Sequence, residues 1–358
     1  MAPAVSICVA SSRPHGWQFH QGGAGWVDVE SRVPVSAGTP FDLASVTKPF
    51  VALTAAQVAC CSGLRLSWPV ARYLPELRES PVGGVSLEQL MSHRSGLRAH
   101  SVLFSDNLRK NNANRSSMLA RAARAVFGPF AFDDVGRGTL PALYSDLGYL
   151  LLGASLERAI GLPLDMIVRR FLGRPLCLSI GSSRQWHEDQ PDFRQIVAPS
   201  EYVAWRGGMI RGQVHDENAW AWAGHGLAGH AGLFGTASSV ALLGCAVLDS
   251  LASRNSPLQS FAAHCCTAPR AGGTLRAGFD GKSGDCSTAG RLMSPCAFGH
   301  LGFTGTSLWC DPTLGISIAL LTNRVCPSRT NTRLVASRKT IQEALTKHAL
   351  NANLGAQV

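Results

Sequence analysis

The chain has 358 residues, enough for about two domains of ordinary size. Hydrophobic residues make up 46% and charged residues 16% of it, which excludes a wholly disordered chain. No uninterrupted apolar run reaches the roughly 18 residues of a membrane span, so none is expected. The net charge of +10 is spread over scattered arginines, and this dispersal favours a basic surface over a nucleic-acid-binding face.

The cysteines and the first residues bear on the cellular compartment. There are 11 cysteines, an odd number, and none stands in a C-x-x-C or other metal-ligand spacing. A secretory signal has a basic segment before an apolar core, and the first ten residues do not show this pattern. We therefore expect reduced thiols, a cytoplasmic location, no metal and no other cofactor. A truncated or processed precursor fits the same start.

The N-terminal part predicts strands and then a buried helix. Val5–Ala10 and Gly25–Val29 are apolar runs separated by glycine-rich turns, a pattern typical of short strands. Val46–Cys61 is apolar almost all round, and a helix of that kind belongs in the interior of a fold.

The middle of the chain, residues 66–219, predicts mainly helices. Ser86 is a candidate N-cap for a short helix, and residues 116–127 form a second helix candidate. A third covers 146–160, where it begins after Ser145 and ends before a Gly-Leu-Pro sequence.

The C-terminal part returns to mixed structure. Thr236 is a natural N-cap for an apolar helix over 237–251. The predicted elements beyond it are a long glycine-rich excursion over 252–290, a strand pair over 297–310 and 315–322, and a helix over 333–350. Together these patterns predict an α+β fold, with residues 1–65 and 220–358 forming a sheet domain and 66–219 an inserted helical domain. We expect an active site between the two.

The start of the buried helix carries the first chemical signal. Ser45 and Lys48 are spaced i, i+3 and so share one helical face. Serine is a weak nucleophile without a neighbouring base, and burial can make a lysine lose its proton near neutral pH. The tetrapeptide 45–48 also fits a purely structural interpretation, in which a polar residue starts the helix and the lysine side chain extends along apolar surface to reach solvent.

Two further motifs narrow this interpretation. Tyr144-Ser145-Asp146 follows about 100 residues later at another loop-to-helix junction, and His300-Leu301-Gly302 follows on a predicted strand. In this order the motifs resemble the serine β-lactamase and penicillin-binding-protein superfamily, in the branch of class C β-lactamases, DD-carboxypeptidases and esterases. That branch uses S-x-x-K, Y-x-N and [KH]-x-G. The resemblance spans residues 5–345 and extends to the stretches 90–97, 212–219, 229–234 and 302–309.

The resemblance implies a fold and three catalytic roles. The fold is a β-lactamase/transpeptidase-like antiparallel sheet flanked by helices, with an inserted helical region. Ser45 becomes the nucleophile, Lys48 its base partner and Tyr144 a second proton-transfer group. Nearby cations, Lys48 and His300, are expected to depress the phenol pKa so that Tyr144 can act as a base.

The resemblance also implies a substrate-binding and oxyanion set. Asp146 stands where the family often has Asn, and His300 stands where relatives have Lys or His. Gly302 is expected to leave room for a substrate along the strand. The oxyanion hole is expected from the backbone N–H groups of Ser45 and Phe303.

Two departures favour ester substrates. An ionised Asp146 accepts hydrogen bonds and cannot donate one as an amide does. His300 is expected to titrate near neutral pH, and its protonated form would be needed to hold a substrate carboxylate. We therefore predict a serine hydrolase that cleaves ester or amide bonds of a small-molecule or peptide-like acyl substrate, with esters preferred. A strict β-lactamase or DD-carboxypeptidase, and a catalytically idle scaffold that keeps the fold, are the alternatives.

Other polar and aromatic residues receive structural interpretations. A helix-end hydrogen bond is expected for His93, and solvent exposure for Asp133 and Asp134. The spacing of a histidine-rich group matches no metal site, and three tryptophans fit either core packing or a substrate cleft. These residues are His215, Asp216, His225 and His230, and Trp205, Trp220 and Trp222. The oligomeric state is left open.

Overall fold

The computed structural model describes residues 2–28, 32–105, 114–128 and 141–354, with the side chains of 352–354 excepted. Asp133 and Asp134 lie outside the described residues. The strands are β1 Ala4–Arg13, β2 Gly16–Asp28, β3 Val33–Pro34, β4 Phe41–Asp42, β5 Ile180–Gly181, β6 Tyr202–Val203, β7 Gly208–Met209, β8 Phe234–Gly235, β9 Asp280–Gly281, β10 Phe298–Leu301, β11 Ser307–Asp311 and β12 Ile316–Thr322.

The helices alternate with these strands along the chain. They are α1 Thr47–Cys61, α2 Leu87–Met91, α3 Arg115–Arg124, α4 Asp146–Ile160, α5 Leu164–Val168, α6 Ser183–Asp189, α7 Phe193–Ile196, α8 Glu217–Ala223, α9 Ala237–Leu251, α10 Ser260–Thr267 and α11 Arg333–Leu354. A single 3₁₀ turn, Ala44–Val46, leads into α1.

A seven-stranded antiparallel sheet forms the frame of the molecule. Its strand order is β3-β2-β1-β12-β11-β10-β9, so the first and last strands of the chain lie side by side. Helices α9 and α11 both pack against β1 and β12. Every residue of β12 is buried because apolar side chains of both of its faces are covered. Ala319 and Leu321 join the main hydrophobic core, whereas Ile316 and Ile318 join a smaller cluster with Ala349 of α11.

Helix α1 runs through the main core, as its composition predicts. The segment Ala44–Cys61 has the length and hydropathy of a membrane span, yet 78% of it is buried inside the fold. A buried core helix meets the same criteria, since an apolar surface on every side is equally satisfied by protein neighbours. The adjoining helices α4, α5 and α10 pack against α1.

Local sequence signals locate most helices correctly. Ser86, Ser145 and Thr236 each cap a helix by accepting a backbone N–H, as predicted. Three predictions need correction. The strand predicted over 297–310 is two strands, β10 and β11, separated by a turn at 302–306; the excursion over 252–290 contains α10 and β9; and α11 continues to Leu354.

The predicted division into two domains stays a prediction. The strands of the large sheet come from residues 4–34 and 280–322, and among the helices between 66 and 219, α4 and α5 pack against α1. The main hydrophobic core contains residues of both predicted domains, Leu53 of α1 and Leu151 of α4 among them.

Candidate active site

Ser45 lies on a constrained turn between β4 and α1. The residue before it, Ala44, has a φ of +47°, a left-handed conformation that is unusual for a residue with a side chain. The Ala44 N–H donates to Asp42 Oδ1 at 2.8 Å. Two threonines of the β10–β11 turn donate to the same segment, Thr304 to Asp42 O at 2.8 Å and Thr306 to Leu43 O at 2.9 Å. These contacts hold the serine in place against the end of β10.

Lys48 lies below Ser45 and is fully buried. Its Nζ donates to Ser45 Oγ at 2.9 Å and to the His230 carbonyl at 3.2 Å, and it forms an ion pair with Asp146 Oδ1 at 2.7 Å. Burial lowers the Lys48 pKa, but the Asp146 carboxylate and Tyr144 more than offset it, so the pKa is raised overall. The sequence prediction of a neutral lysine is therefore wrong for the resting enzyme, because it considered burial without the carboxylate.

Asp146 opens helix α4 and faces Lys48. Burial alone would raise its pKa, but the Lys48 ammonium holds the pKa of this carboxyl well below its usual range. A second histidine, His100, lies 3.8 Å from the other carboxylate oxygen. The contacts of Asp146 thus pair it with Lys48, a contact that its predicted place in substrate binding does not include.

Tyr144 lies between Lys48 and His300. Lys48 Nζ is 4.8 Å from the centre of the Tyr144 ring, and the His300 ring centre is 5.8 Å from it. Burial raises the pKa of Tyr144, and Lys48 and Ser45 only partly oppose this. The depressed phenol pKa predicted from the sequence is wrong, since desolvation outweighs the nearby cation and the Asp146 carboxylate opposes that cation.

His300 is a neutral histidine at the edge of the same group. Its Nδ1 donates to the Leu301 carbonyl at 2.8 Å, which leaves Nε2 as an acceptor. Burial and the Lys48 charge lower the His300 pKa to about 3. Titration near neutral pH, as predicted from the residue type, is therefore wrong, and the site has no imidazolium there at pH 7.

Gly302 and Phe303 follow His300 at the end of β10. A Cβ on Gly302 would lie 1.9 Å from Thr306 Oγ1 and 2.6 Å from the Leu43 carbonyl. The glycine is thus required by packing against the turn that holds Ser45, a reason that differs from the substrate clearance expected from the sequence. Phe303 is half exposed and its ring stacks on His215 at 5.7 Å.

All seven predicted site residues line or adjoin one cavity. It has a volume of about 840 Å³ and is lined by Ser45, Tyr144, Asp146, His300, Gly302 and Phe303, with Lys48 beneath Ser45. Its walls also include His100 and residues of α11. The structure therefore brings together side chains that are up to 258 positions apart in the sequence, counted from Ser45 to Phe303.

The sequence analysis missed two arginines in the same cavity, Arg324 and Arg338. Both are buried, with 6% and 7% of their surface exposed, and both line the cavity. Arg324 donates to the carbonyls of Arg329 and Asn331, and neither arginine forms an ion pair with a carboxylate of the described residues. Arg338 Nε is buried without a hydrogen-bond partner in the described part of the chain. Burial and the neighbouring Arg324 lower the Arg338 pKa to about 10.

The remaining candidates have partners of their own. His215 pairs with Glu201 at 2.8 Å, His230 pairs with Asp216 at 2.9 Å, and His225 contacts Ser183. Within the described ranges no cluster of three or more acidic, His or Cys residues is arranged to hold a metal. The three tryptophans lie outside the lining of the cavity; Trp205 stacks on Phe104 and contacts Trp220, and Trp222 packs against Arg115.

Comparison with known proteins agrees with the motifs. Residues 3–339 match the Beta-lactamase family. A relative, N-acetylmuramyl-L-alanine amidase of Bacillus subtilis (strain 168), is 31% identical over 80% of this chain and 68% of its own length. The fold is similar to that of a class C β-lactamase from Rhodobacter sphaeroides, with a TM-score of 0.69 at 19% identity over 98% of this chain and 95% of the other. It is also similar to a β-lactamase/D-alanine carboxypeptidase from Pseudomonas syringae, with a TM-score of 0.66 at 18% identity over 95% and 93%.

The fold, an antiparallel sheet with flanking helices and a serine at the start of its core helix, is that of the β-lactamase and penicillin-binding-protein class. The chain belongs to the Beta-lactamase family.

Proposed function

We propose that this chain is a serine hydrolase that cleaves ester or amide bonds through an acyl-enzyme on Ser45, with esters preferred. The observation that carries the proposal is the contact of Ser45 Oγ with a buried lysine ammonium, 2.9 Å away, at the wall of a large cavity. A nucleophile supported by a partner side chain is the arrangement that acyl transfer requires.

The contacts support a route for each proton in this proposal. Lys48 donates its hydrogen bond to Ser45 Oγ, so the hydroxyl proton of Ser45 must leave in another direction. Tyr144, beside both groups, is the acceptor in this proposal when it is ionised. Ser45 Oγ then bonds to the substrate carbonyl carbon, Tyr144 returns the proton to the leaving alcohol or amine, and water releases the acyl group in a second step.

The raised pKa of Tyr144 gives this proposal a pH dependence. The phenolate is the active form, and its population grows as pH rises toward the folded-state pKa. We expect kcat/KM for a neutral ester to increase with pH above neutrality. A rate that falls between pH 7 and 9 while the protein stays folded would contradict a phenolate base.

The nucleophile is tested by covalent labelling. A fluorophosphonate probe should label the wild-type protein, and Ser45→Ala should abolish labelling and lower kcat for a p-nitrophenyl ester by at least about 10³-fold. Ser287, another serine in the cavity wall, provides the control, because Ser287→Ala should keep the label. Labelling that persists in Ser45→Ala would remove Ser45 from the mechanism.

A second candidate is cleavage of substrates that carry a carboxylate, as a carboxypeptidase would require. Two buried arginines without carboxylate partners favour it, because a buried charge is costly until an opposite charge pairs with it. His300 is neutral and cannot supply this charge. A comparison of kcat/KM for a neutral ester and a matched ester bearing a carboxylate decides between the two candidates.

We further infer a reducing compartment, as in the cytoplasm. All eleven cysteines are free thiols, including adjacent pairs at the end of α1 and in α10. Protein thiols persist where glutathione and thioredoxin keep them reduced. Thiol counting after denaturation without reductant should return eleven, and a lower count in freshly isolated protein would contradict this inference.

A further inference from the structure

His93, in the loop after α2, adopts an unusual backbone conformation next to the site. Its φ is +60°, in the left-handed region, although it is not a glycine. It is 2% exposed and therefore part of the interior. Residues held in sparsely populated backbone regions persist only where the surrounding contacts require them, and they concentrate at functional sites.

The contacts of His93 enclose one residue, Tyr144. The N–H of Leu143 donates to the His93 carbonyl at 2.9 Å, and the N–H of Ser145 donates to His93 Nδ1 at 3.0 Å. The imidazole ring itself packs on the Tyr144 ring, with 4.7 Å between the ring centres. Backbone bonds on both sides of Tyr144, together with the ring contact, thus all come from a single residue.

This arrangement fixes the protonation state of the imidazole. Nδ1 accepts the Ser145 N–H, so the neutral ring must carry its proton on Nε2. Burial and the nearby Lys48 charge keep the His93 pKa well below its usual range, which preserves this acceptor across neutral pH.

We propose that His93 is a positioning residue that holds Tyr144 at the reacting atoms through its Nδ1 acceptor and its left-handed backbone. It acts through Tyr144 and does not line the cavity. The proposal rests on the proposed function in that it assigns the proton transfer to Tyr144. A displacement of about 1 Å of a catalytic group can lower a rate by about 10²-fold.

Three substitutions separate the acceptor from the ring. Asn places its Oδ1 where His has Nδ1 and tolerates a left-handed backbone, so His93→Asn should keep kcat for a p-nitrophenyl ester within about fivefold. His93→Phe keeps a ring without the acceptor and should lower kcat by about 30-fold or more with little change in KM. His93→Ala should behave like the Phe variant. Tyr149→Phe, which removes a buried hydroxyl bond beside His93, is the control and should lose stability with kcat unchanged.

A double-mutant cycle tests whether the effect passes through Tyr144. In a Tyr144→Phe background, His93→Phe should change kcat by less than about twofold, since residues that act as a unit are not additive. An equal loss in both backgrounds would overturn the proposal. If His93→Phe does not fold, the Asn and Ala variants decide: at equal folded fraction, an advantage of Asn over Ala below about fivefold would overturn it as well.

A second measurement needs no turnover and so separates this proposal from the proposed function. The chain has 4 tyrosines, and with 3-fluorotyrosine each gives a ¹⁹F resonance, that of Tyr144 being assigned by its loss in Tyr144→Phe. Because the imidazole ring packs on Tyr144, either substitution can change the chemical shift itself, so the titration is compared. His93→Phe should move the titration midpoint of that resonance, and His93→Asn should leave the midpoint close to the wild type. If Ser45 is not labelled by the fluorophosphonate probe but the resonance responds in this way, the proposed function fails while the positioning role stands. An unchanged titration midpoint in folded His93→Phe overturns the positioning role.

Discussion

Lys48 and Arg338 are two buried cations at one cavity that differ in their partners: a carboxylate pairs with Lys48, whereas none of the described residues pairs with Arg338 in this way. Lys48 contacts Ser45 Oγ, the His230 carbonyl and the Asp146 carboxylate. Arg338 has no carboxylate partner among the described residues, and its Nε donates to none of them. The first charge is balanced within the fold, whereas we expect the second to be stabilised most by an anionic ligand.

We expect this difference to separate a group that acts in catalysis from a group that acts in substrate recognition. An internally paired lysine stays charged and oriented whether or not substrate is present, which suits a group that must hold a nucleophile. An unpaired arginine gains most when an anion arrives, since a charge-assisted hydrogen bond is worth roughly 1.5–3 kcal/mol. The same physics therefore predicts large effects on the rate at Lys48 and substrate-dependent effects at Arg338.

The largest expected effect is at the paired cation. Lys48→Met should lower kcat for a neutral ester by at least about 10³-fold, because it removes the donor to Ser45 Oγ and leaves Tyr144 without its nearest cation. It should also lower the free energy of unfolding by roughly 1–3 kcal/mol, since Asp146 loses its counter-charge. Steady-state kinetics and urea unfolding check both, and a Met variant with a tenth or more of wild-type kcat would contradict the role of Lys48.

Removal of the Asp146 carboxylate should change the pH profile of kcat/KM more than it changes kcat at its maximum. The Asp146 charge raises the pKa of both Lys48 and Tyr144, so both values should fall in Asp146→Asn. The rising limb of kcat/KM should then move to lower pH by at least about one pH unit. Asp165→Asn is the matched control, because Asp165 is a buried carboxylate paired with Arg184 away from the cavity. A limb that stays in place, or moves to higher pH, would refute the ion-pair argument.

The surroundings of Lys48 can be predicted in part from the sequence. Ser45 and Lys48 are three positions apart on one helix, so their contact follows from helical geometry. The caps at Ser86, Ser145 and Thr236 are local in the same sense, and the structure confirms all three. The order of the three motifs predicts the fold as well.

The features that could not be predicted depend on contacts between distant parts of the chain. Asp146 meets Lys48 across 98 positions, and the signs of the Lys48 and Tyr144 pKa changes depend on that meeting. Residue type alone carries no information about neighbouring groups. It therefore predicts that burial lowers a lysine pKa and that His300 titrates near pH 6.5. Arg338 lies in an ordinary amphipathic helix by sequence, and only packing places it in the cavity.

At the unpaired cation, the expected effect depends on the substrate. Arg338→Gln should lower kcat/KM for an ester bearing a carboxylate by about tenfold, which corresponds to one lost charge-assisted hydrogen bond. The matched neutral ester should change by less than about twofold. Arg254→Gln, at a surface arginine paired with Asp249, controls for the loss of one positive charge. An equal decrease for both esters would show that Arg338 supports the fold and does not read the charge of the substrate.

The smallest effect is on stability, and it has the opposite sign from that at Lys48. Arg338→Met replaces an unpaired buried charge with an apolar side chain of similar length, a change that is often neutral or stabilising by about 1 kcal/mol or more. We expect the melting temperature without ligand to stay the same or rise by a few degrees, whereas Lys48→Met lowers it. Added carboxylate should stabilise the wild type and leave Arg338→Met unaffected, because a ligand stabilises only the form that binds it. Thermal unfolding at fixed salt with and without acetate checks this, since salt screens the interaction. A clear loss of stability in Arg338→Met would mean that the guanidinium is already satisfied within the protein, and the contrast with Lys48 would disappear.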